Sequence, residues 1–187
     1  MPTPKNPPDQ AVLFVDLLGF KALTEAHPHA LVHLELAKFR LTHSSASARV
    51  FSTFHSVLDQ ALFFAIHEGH MQIMIFSDCA FMVLGNPSYT ANFAVKLMRS
   101  FIGAEIPVRM GMACGSFENV RVSSDSRGTS TLNRAMFFGT GIVHAHVAES
   151  QGGKGFRIFL HPSMKPHIRS INAALTVLDL PTEESAG

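Results

Sequence analysis

Asp16 closes an apolar run, AVLFVDLLGF over residues 11 to 20, so five apolar residues precede one carboxylate and place its charge at the mouth of a buried strand. A buried carboxylate is costly unless a cation or a hydrogen-bond donor compensates it. A second one stands in a similar setting. Asp78 follows Ser77 between two apolar runs, residues 71 to 76 and 79 to 84, which read as the strands of a hairpin with Ser77 and Asp78 at its tip. Paired beside the first strand, that hairpin would bring Asp16 and Asp78 to one sheet edge. Two such carboxylates suit one or two divalent ions shared with substrate phosphates, because Mg²⁺ keeps water and phosphate ligands and seldom sits in an all-protein cage. Taken singly, each aspartate serves a turn equally well.

A cation follows in IPVRMGMACG. Val108, Met110 and Met112 alternate with Arg109, Gly111 and Ala113, the pattern of a half-buried strand that carries one guanidinium on its polar side. A planar guanidinium grips phosphate oxygens in a fork, which makes Arg109 a candidate for the β- and γ-phosphates of a nucleotide. The ordinary alternative is an ion pair with Glu105 or Glu118. The 11 histidines do not form a metal motif. His29 and His33 lack the acidic partner of an HExxH pattern, and His144 and His146, two apart on a predicted helix, cannot share a face. Cys79 and Cys114 each lie in an apolar segment and read as buried thiols rather than a disulfide or zinc site.

The elements that would position these groups alternate along the chain. After the first strand, residues 19 to 26 predict a short helix, and a further helical stretch follows Pro28 at residues 31 to 39. Val50, Phe54, Val57, Leu58, Ala61 and Leu62 give helical spacing within residues 44 to 67. Beyond the Asp78 hairpin, residues 88 to 101 predict a helix with Pro87 near its start. The Arg109 strand, a short strand at 118 to 122 and a polar loop at 123 to 131 come next. A helix at 139 to 150, a strand at 156 to 160, a turn or helix at 162 to 169 and a last strand at 173 to 178 complete the order. Embedded in it is a split β-α-β pattern of ferredoxin-like type, an α+β fold with an antiparallel or mixed sheet covered by helices. Residues 11 to 180 form one domain, and residues 1 to 10 and 181 to 187 are expected to be disordered.

With 187 residues, 47% hydrophobic and only 16% charged, the chain suits one well-buried core. A net charge of +1 provides no basic field for nucleic acid. No apolar run reaches the ~18 residues of a membrane span. MPTPKNPPDQ lacks the apolar centre of a signal peptide. The expectation is a cytoplasmic protein with neither a membrane nor a nucleic-acid partner.

Together these landmarks resemble the catalytic domain of class III nucleotidyl cyclases. Phe14, Asp16, Gly19 and Phe20 match its F-x-D-x-x-G-F motif, Asp78 its hairpin-tip aspartate with Ser77 in place of glycine, and Arg109, Gly111 and Gly115 its R-x-G-x-x-x-G. The resemblance spans residues 11 to 178 and implies a class III cyclase fold. It implies that Asp16 and Asp78, with Leu17, bind Mg²⁺ or Mn²⁺, that Arg109 binds phosphate, and that the backbone of Leu17, Leu18, Gly19 and Phe20 lies against a triphosphate. The reaction implied is attack of a ribose 3′-hydroxyl on the α-phosphorus with loss of pyrophosphate, in a homodimer.

The departures are equally specific. Met74 and Met136 occupy the positions that read a purine, and Val143 and Val147 stand at the usual Asn and Arg positions of the late helix. GTGIVHAHVAES instead resembles the G-x-x-x-x-x-A-x-x-x-E pattern of small stand-alone bacterial cyclases, the group containing the pyrimidine cyclases of Pycsar anti-phage defence. That likeness implies a uridylate cyclase whose product activates a separate effector, with His144, His146, Arg127 and Arg134 as candidates for the missing polar functions. A degenerate cyclase fold that binds without turnover, a palm-like nucleotidyl transferase and a ferredoxin-like RNA-binding module are the competing readings. Of these, the RNA module lacks the exposed aromatics and basic residues such readers use.

Overall fold

The computed structural model describes residues 10–26, 32–35, 40–43, 45–66, 71–125 and 131–176. Apart from Gln10, the termini expected to be disordered lie outside these residues. Among these residues five strands form the main sheet: β1 (Gln10–Leu17), β4 (Gln72–Ile75), β5 (Cys79–Val83), β6 (Val108–Gly115) and β9 (Ile158–Leu160). Their order is β4-β5-β1-β6-β9, antiparallel throughout except where β9 joins β6 in parallel. The first four strands, with α2 (Ala46–Ile66) and α3 (Pro87–Gly103) as crossovers, make the ferredoxin-like unit anticipated above. A two-stranded sheet of β2 (Val32–Glu35) and β3 (Arg40–His43) and a hairpin of β7 (Glu118–Asp125) and β8 (Thr131–Phe138) stand beside it.

Period-two alternation assigns the two faces of the main sheet. Leu13, Val15 and Leu17 of β1, Met82 of β5 and Met110 and Met112 of β6 enter one core with Phe54 and Leu58 of α2 and Leu97 and Phe101 of α3. Phe54 and Phe101 are wholly buried with their rings stacked at 5.4 Å. Burial of each stabilises the fold by roughly 2–3 kcal/mol. The opposite face carries Val12, Phe14, Phe81, Val83 and Ala113 under Ala145 of α4 (Thr140–Ser150). Asn86 starts α3 as its N-cap, its side-chain oxygen accepting from the amides of Ser88 at 2.9 Å and Tyr89 at 3.1 Å, with Pro87 in the first turn.

Three expectations are corrected. The helix expected at 31 to 39 is in its described parts β2 and the start of the β2–β3 ladder, because Val32, His33, Leu34 and Glu35 alternate with period two rather than helically. The strand expected at 173 to 178 belongs, as far as residue 176, to α5 (Ile168–Thr176), where Ile171 and Leu175, four apart, face the core. The polar loop at 123 to 131 gives up both ends to a continuous ladder from Glu118↔Phe138 to Asp125↔Thr131, and β8 is a strand the alternation did not announce. The turn or helix at 162 to 169 is a 3-10 helix, Pro162–His167, running into α5.

Candidate active site

Asp16 sits at the end of the central strand with one candidate partner on each side. Its register partner on β5 is Cys79, next to Asp78, and its partner on β6 is Arg109. The amide of Leu17 donates to the carbonyl of Asp78 at 2.9 Å, which seals the hairpin tip against β1. The tip is closed by the Phe76 amide donating to the Cys79 carbonyl at 2.8 Å. The Ser77 hydroxyl donates to Asp78 Oδ1 at 2.9 Å, and His55 of α2 holds the Ser77 carbonyl at 3.0 Å through Nε2. His55 was not among the residues selected from sequence, and no local pattern marks a contact 22 positions away.

The loop after Asp16 is equally constrained. Leu18 donates its amide to the Pro107 carbonyl at 2.8 Å, and Gly19 takes φ 73°, a conformation glycine adopts without a Cβ clash, before α1 (Phe20–Ala26) begins. Phe20 stacks on Phe51 of α2 at 5.8 Å. The amides of Leu17 and Leu18 are thus committed to the residues that immediately precede β5 and β6.

Arg109 has a partner, and it is neither Glu105 nor Glu118. Its Nε donates to Oε1 of Glu149, a nearly buried carboxylate at the end of α4. Two glycines make that pair possible. A Cβ at Gly111 would meet the Ala145 carbonyl oxygen and come to 2.9 Å from Glu149 Cβ, and one at Gly115 would come to 2.5 Å from the Gly141 amide. Gly141, Ala145 and Glu149, four apart, form the buried stripe of α4 that lies on this bare strand. R-x-G-x-x-x-G and G-x-x-x-x-x-A-x-x-x-E are therefore two halves of one helix-on-strand contact.

Electrostatics binds the cluster together. The Asp16 carboxyl is pushed up from 3.8 to about 6, first by burial, then by the negative charges of Glu149 and Asp78, against which Arg109 and His146 act in the lowering direction. The same surroundings raise the Cys79 thiol to about 11, burial leading and Asp78, Asp16 and Glu149 following, so this cysteine stays protonated. Cys79 and Cys114 are not joined in a disulfide and belong to opposite faces of the sheet. His146 stacks on Phe14 at 5.2 Å, while His144 stacks on His161 at 4.1 Å. Of the other candidates, Arg127 and His29 lie outside the described residues, as do the side chains of Arg134 and His33. Met74 is half-buried against the Phe14 and Phe81 cluster, on the face that Asp16 shares, and Met136 and Val143 are exposed.

Among the described residues no group of three or more His, Cys, Asp and Glu side chains forms a complete metal-ligand set. What Asp16 and Asp78 offer is two neighbouring carboxylates whose negative charges act against one another, a donor set that fits a hard divalent cation whose other ligands are water and phosphate.

No family model matches the chain, and no curated protein sequence matches it. Solved structures do. A dimeric guanylyl cyclase domain of the RhoGC fusion protein from the aquatic fungus Blastocladiella emersonii is similar with TM-score 0.59 and 17% identity, over 89% of this chain and 86% of that one. The chain has the class III cyclase fold. The cyclase fold recurs in the catalytic core of a rhodopsin-guanylyl cyclase with converted specificity, solved with ATPαS, at TM-score 0.59 and 16% identity over 90% of this chain and 85% of that one. It recurs again in the adenylyl cyclase CyaB of P. aeruginosa, at TM-score 0.53 and 18% identity over 88% of this chain and 82% of that one. Among the described residues no helix is long and apolar enough to cross a membrane.

Proposed function

We propose that this protein is a divalent-cation-dependent nucleotidyl cyclase that converts a nucleoside triphosphate, UTP in the first instance, into a 3′,5′-cyclic nucleotide and pyrophosphate. The observation that carries the reading is the meeting of Asp16, Asp78 and Arg109 at one end of β1, on the scaffold the cyclase domains share. Asp16 and Asp78, with the Leu17 backbone beside them, would hold Mg²⁺ or Mn²⁺. When bound, such an ion supplies charge neutralisation for the triphosphate and acidity for a coordinated hydroxyl. Arg109 keeps its Nε on Glu149 and offers its outer guanidinium nitrogens to phosphate oxygens. The backbone part in binding the triphosphate narrows to Gly19 and Phe20, since Leu17 and Leu18 spend their amides elsewhere. In the reaction the ribose 3′-oxygen forms a bond to the α-phosphorus and its proton passes to solvent, while the bond to the bridging oxygen breaks and pyrophosphate leaves with that electron pair. Positioning and fixed charge supply most of the acceleration.

Met74 supports a base subsite without directional hydrogen bonds, which favours the smaller pyrimidine ring over a purine that would be read at its edge. Val120, Met136 and Phe138 share the outward face of the β7–β8 hairpin and are all exposed, which supports a homodimer built through that face. A cyclic pyrimidine nucleotide acting on a separate effector in anti-phage defence, in the cytoplasm, completes the proposal. The competing reading, a cyclase fold that binds a nucleotide or partner without turnover, draws on Val143, which presents an apolar side chain to solvent at one of the usual polar positions. Incubation with UTP, CTP, ATP and GTP in Mg²⁺ or Mn²⁺, with mass detection of products, separates the two. Cyclic UMP as the main product supports the proposal, and retained nucleotide binding without any cyclic product supports its rival.

A further inference from the structure

Arg109 and Asp16 are direct cross-strand partners on the same face of the sheet, an arrangement that by itself would pair guanidinium with carboxylate. Yet the guanidinium bonds Glu149, from a different element 40 positions away. Glu149 is the more enclosed of the two, its side chain 4% exposed against 20% for Arg109. The contact requires α4 to lie directly on β6, which the missing side chain of Gly111 and the small Ala145 allow. A carboxylate in so enclosed a place is retained only with a partner, and Arg109 is its only ion-pair partner among the described residues.

We infer that Glu149 is the positioning residue for Arg109: by occupying Nε it keeps the guanidinium from neutralising Asp16 and turns its outer nitrogens to the polyphosphate. The inference rests on the cyclase reading of Asp16, Asp78 and Arg109, and assigns to the α4 carboxylate a task distinct from any contact with substrate. Without Glu149, Arg109 would fall back on Asp16, its register neighbour. One residue change would then impair both the cation-binding carboxylate and the phosphate-binding fork.

The sign of the effect distinguishes positioning from plain electrostatics. Removing a negative charge should tighten the binding of a polyanion if charge alone matters. Loss of positioning should weaken it. Isothermal titration with inorganic tripolyphosphate in Mn²⁺ reads this without any need for turnover. Glu149→Gln is expected to bind about tenfold more weakly than wild type, the size of one lost charge-assisted hydrogen bond. Arg109→Ala is expected to match it, and the double variant to bind no worse than Arg109→Ala, because residues acting through one another are not additive. Should Glu149→Gln fail to fold, Glu149→Asp keeps the charge, is one methylene short of Nε, and is expected to show the same direction of loss. Binding by the folded variant as tight as or tighter than wild type, or losses that multiply in the double variant, would overturn the inference while leaving the cyclase reading intact. A wild-type protein that binds no Mn²⁺-tripolyphosphate would overturn both.

Discussion

Replacing Asp16 by Asn should make the metal-free protein more stable while removing its cation site. In the folded state the Asp16 carboxyl is raised to about 6 from 3.8, with burial as the first cause and Glu149 and Asp78 next. That gap corresponds to about 3 kcal/mol of preference for the neutral acid at full strength. Asp16 is only partly enclosed, and halving the figure for solvent screening leaves about 1.5 kcal/mol. The sign follows from linkage: a carboxyl with a raised folded pKa contributes stability that is fully present below 3.8 and lost as pH rises through about 6. Above that pH wild type carries an ionised group at a net cost, and Asn has the same shape without the charge. For a chain of this size about 1.5 kcal/mol is a melting shift of roughly 3–6 °C. Thermal melts in EDTA from pH 4 to pH 8 are expected to show Asp16→Asn melting higher at pH 8, with the gap closing towards pH 4. Added Mn²⁺ should then raise the wild-type midpoint by mass action and leave the variant nearly unmoved. An Asp16→Asn protein that melts lower than wild type at pH 8, or a gap independent of pH, would refute this reasoning.

Gly111→Ala should lift α4 from β6, because the new Cβ would stand 2.7 Å from the Glu149 amide; denaturant unfolding is expected to show a loss of about 2 kcal/mol. Gly103→Ala, with nothing within 4 Å of its Cβ, serves as the control and should not lower the midpoint. The His161 pKa is lowered, by burial first and by the stacked His144 second, and its Nδ1 accepts the Ser163 amide at 3.2 Å, a bond that protonation would break. A histidine depressed in the folded state contributes stability that is present above 6.5 and lost as pH falls below it. Melts of His161→Asn, which keeps a cap acceptor without the titration, should lack that part of the acid-side loss. An unchanged acid limb would show that the stacked pair plays no part in it.

The acidic pair was legible because each member ends or turns an apolar strand, and a charge at such a place needs a reason that local sequence can supply. Arg109 was legible for the same reason, as one cation in an alternating strand. Glu149 was present in the sequence pattern but without a partner, since its partner lies 40 positions earlier and the contact depends on a helix seated on two glycines. His55 was invisible for a related reason: its partner is a backbone carbonyl, which carries no residue signature. Among the elements, α2 and α3 follow the helical spacing of their core residues, whereas β2 and β3 are four residues each, too short for periodicity to outweigh a neighbouring helical pattern. In β8, Met136, Phe137 and Phe138 are all apolar although the strand alternates its faces, which hides the period. In α5 the final apolar residues fit a strand or a helix equally well, and packing against the core decides for the helix.

The most direct measurement follows UTP with Mn²⁺ by mass spectrometry in wild type, Asp16→Asn and Asp78→Asn side by side, each variant first shown to be folded. A site shared by the two aspartates predicts cyclic UMP and pyrophosphate from wild type and neither product from either variant. Full activity in either Asn variant, or folded wild type that forms no cyclic nucleotide from UTP or any other nucleoside triphosphate, would contradict it.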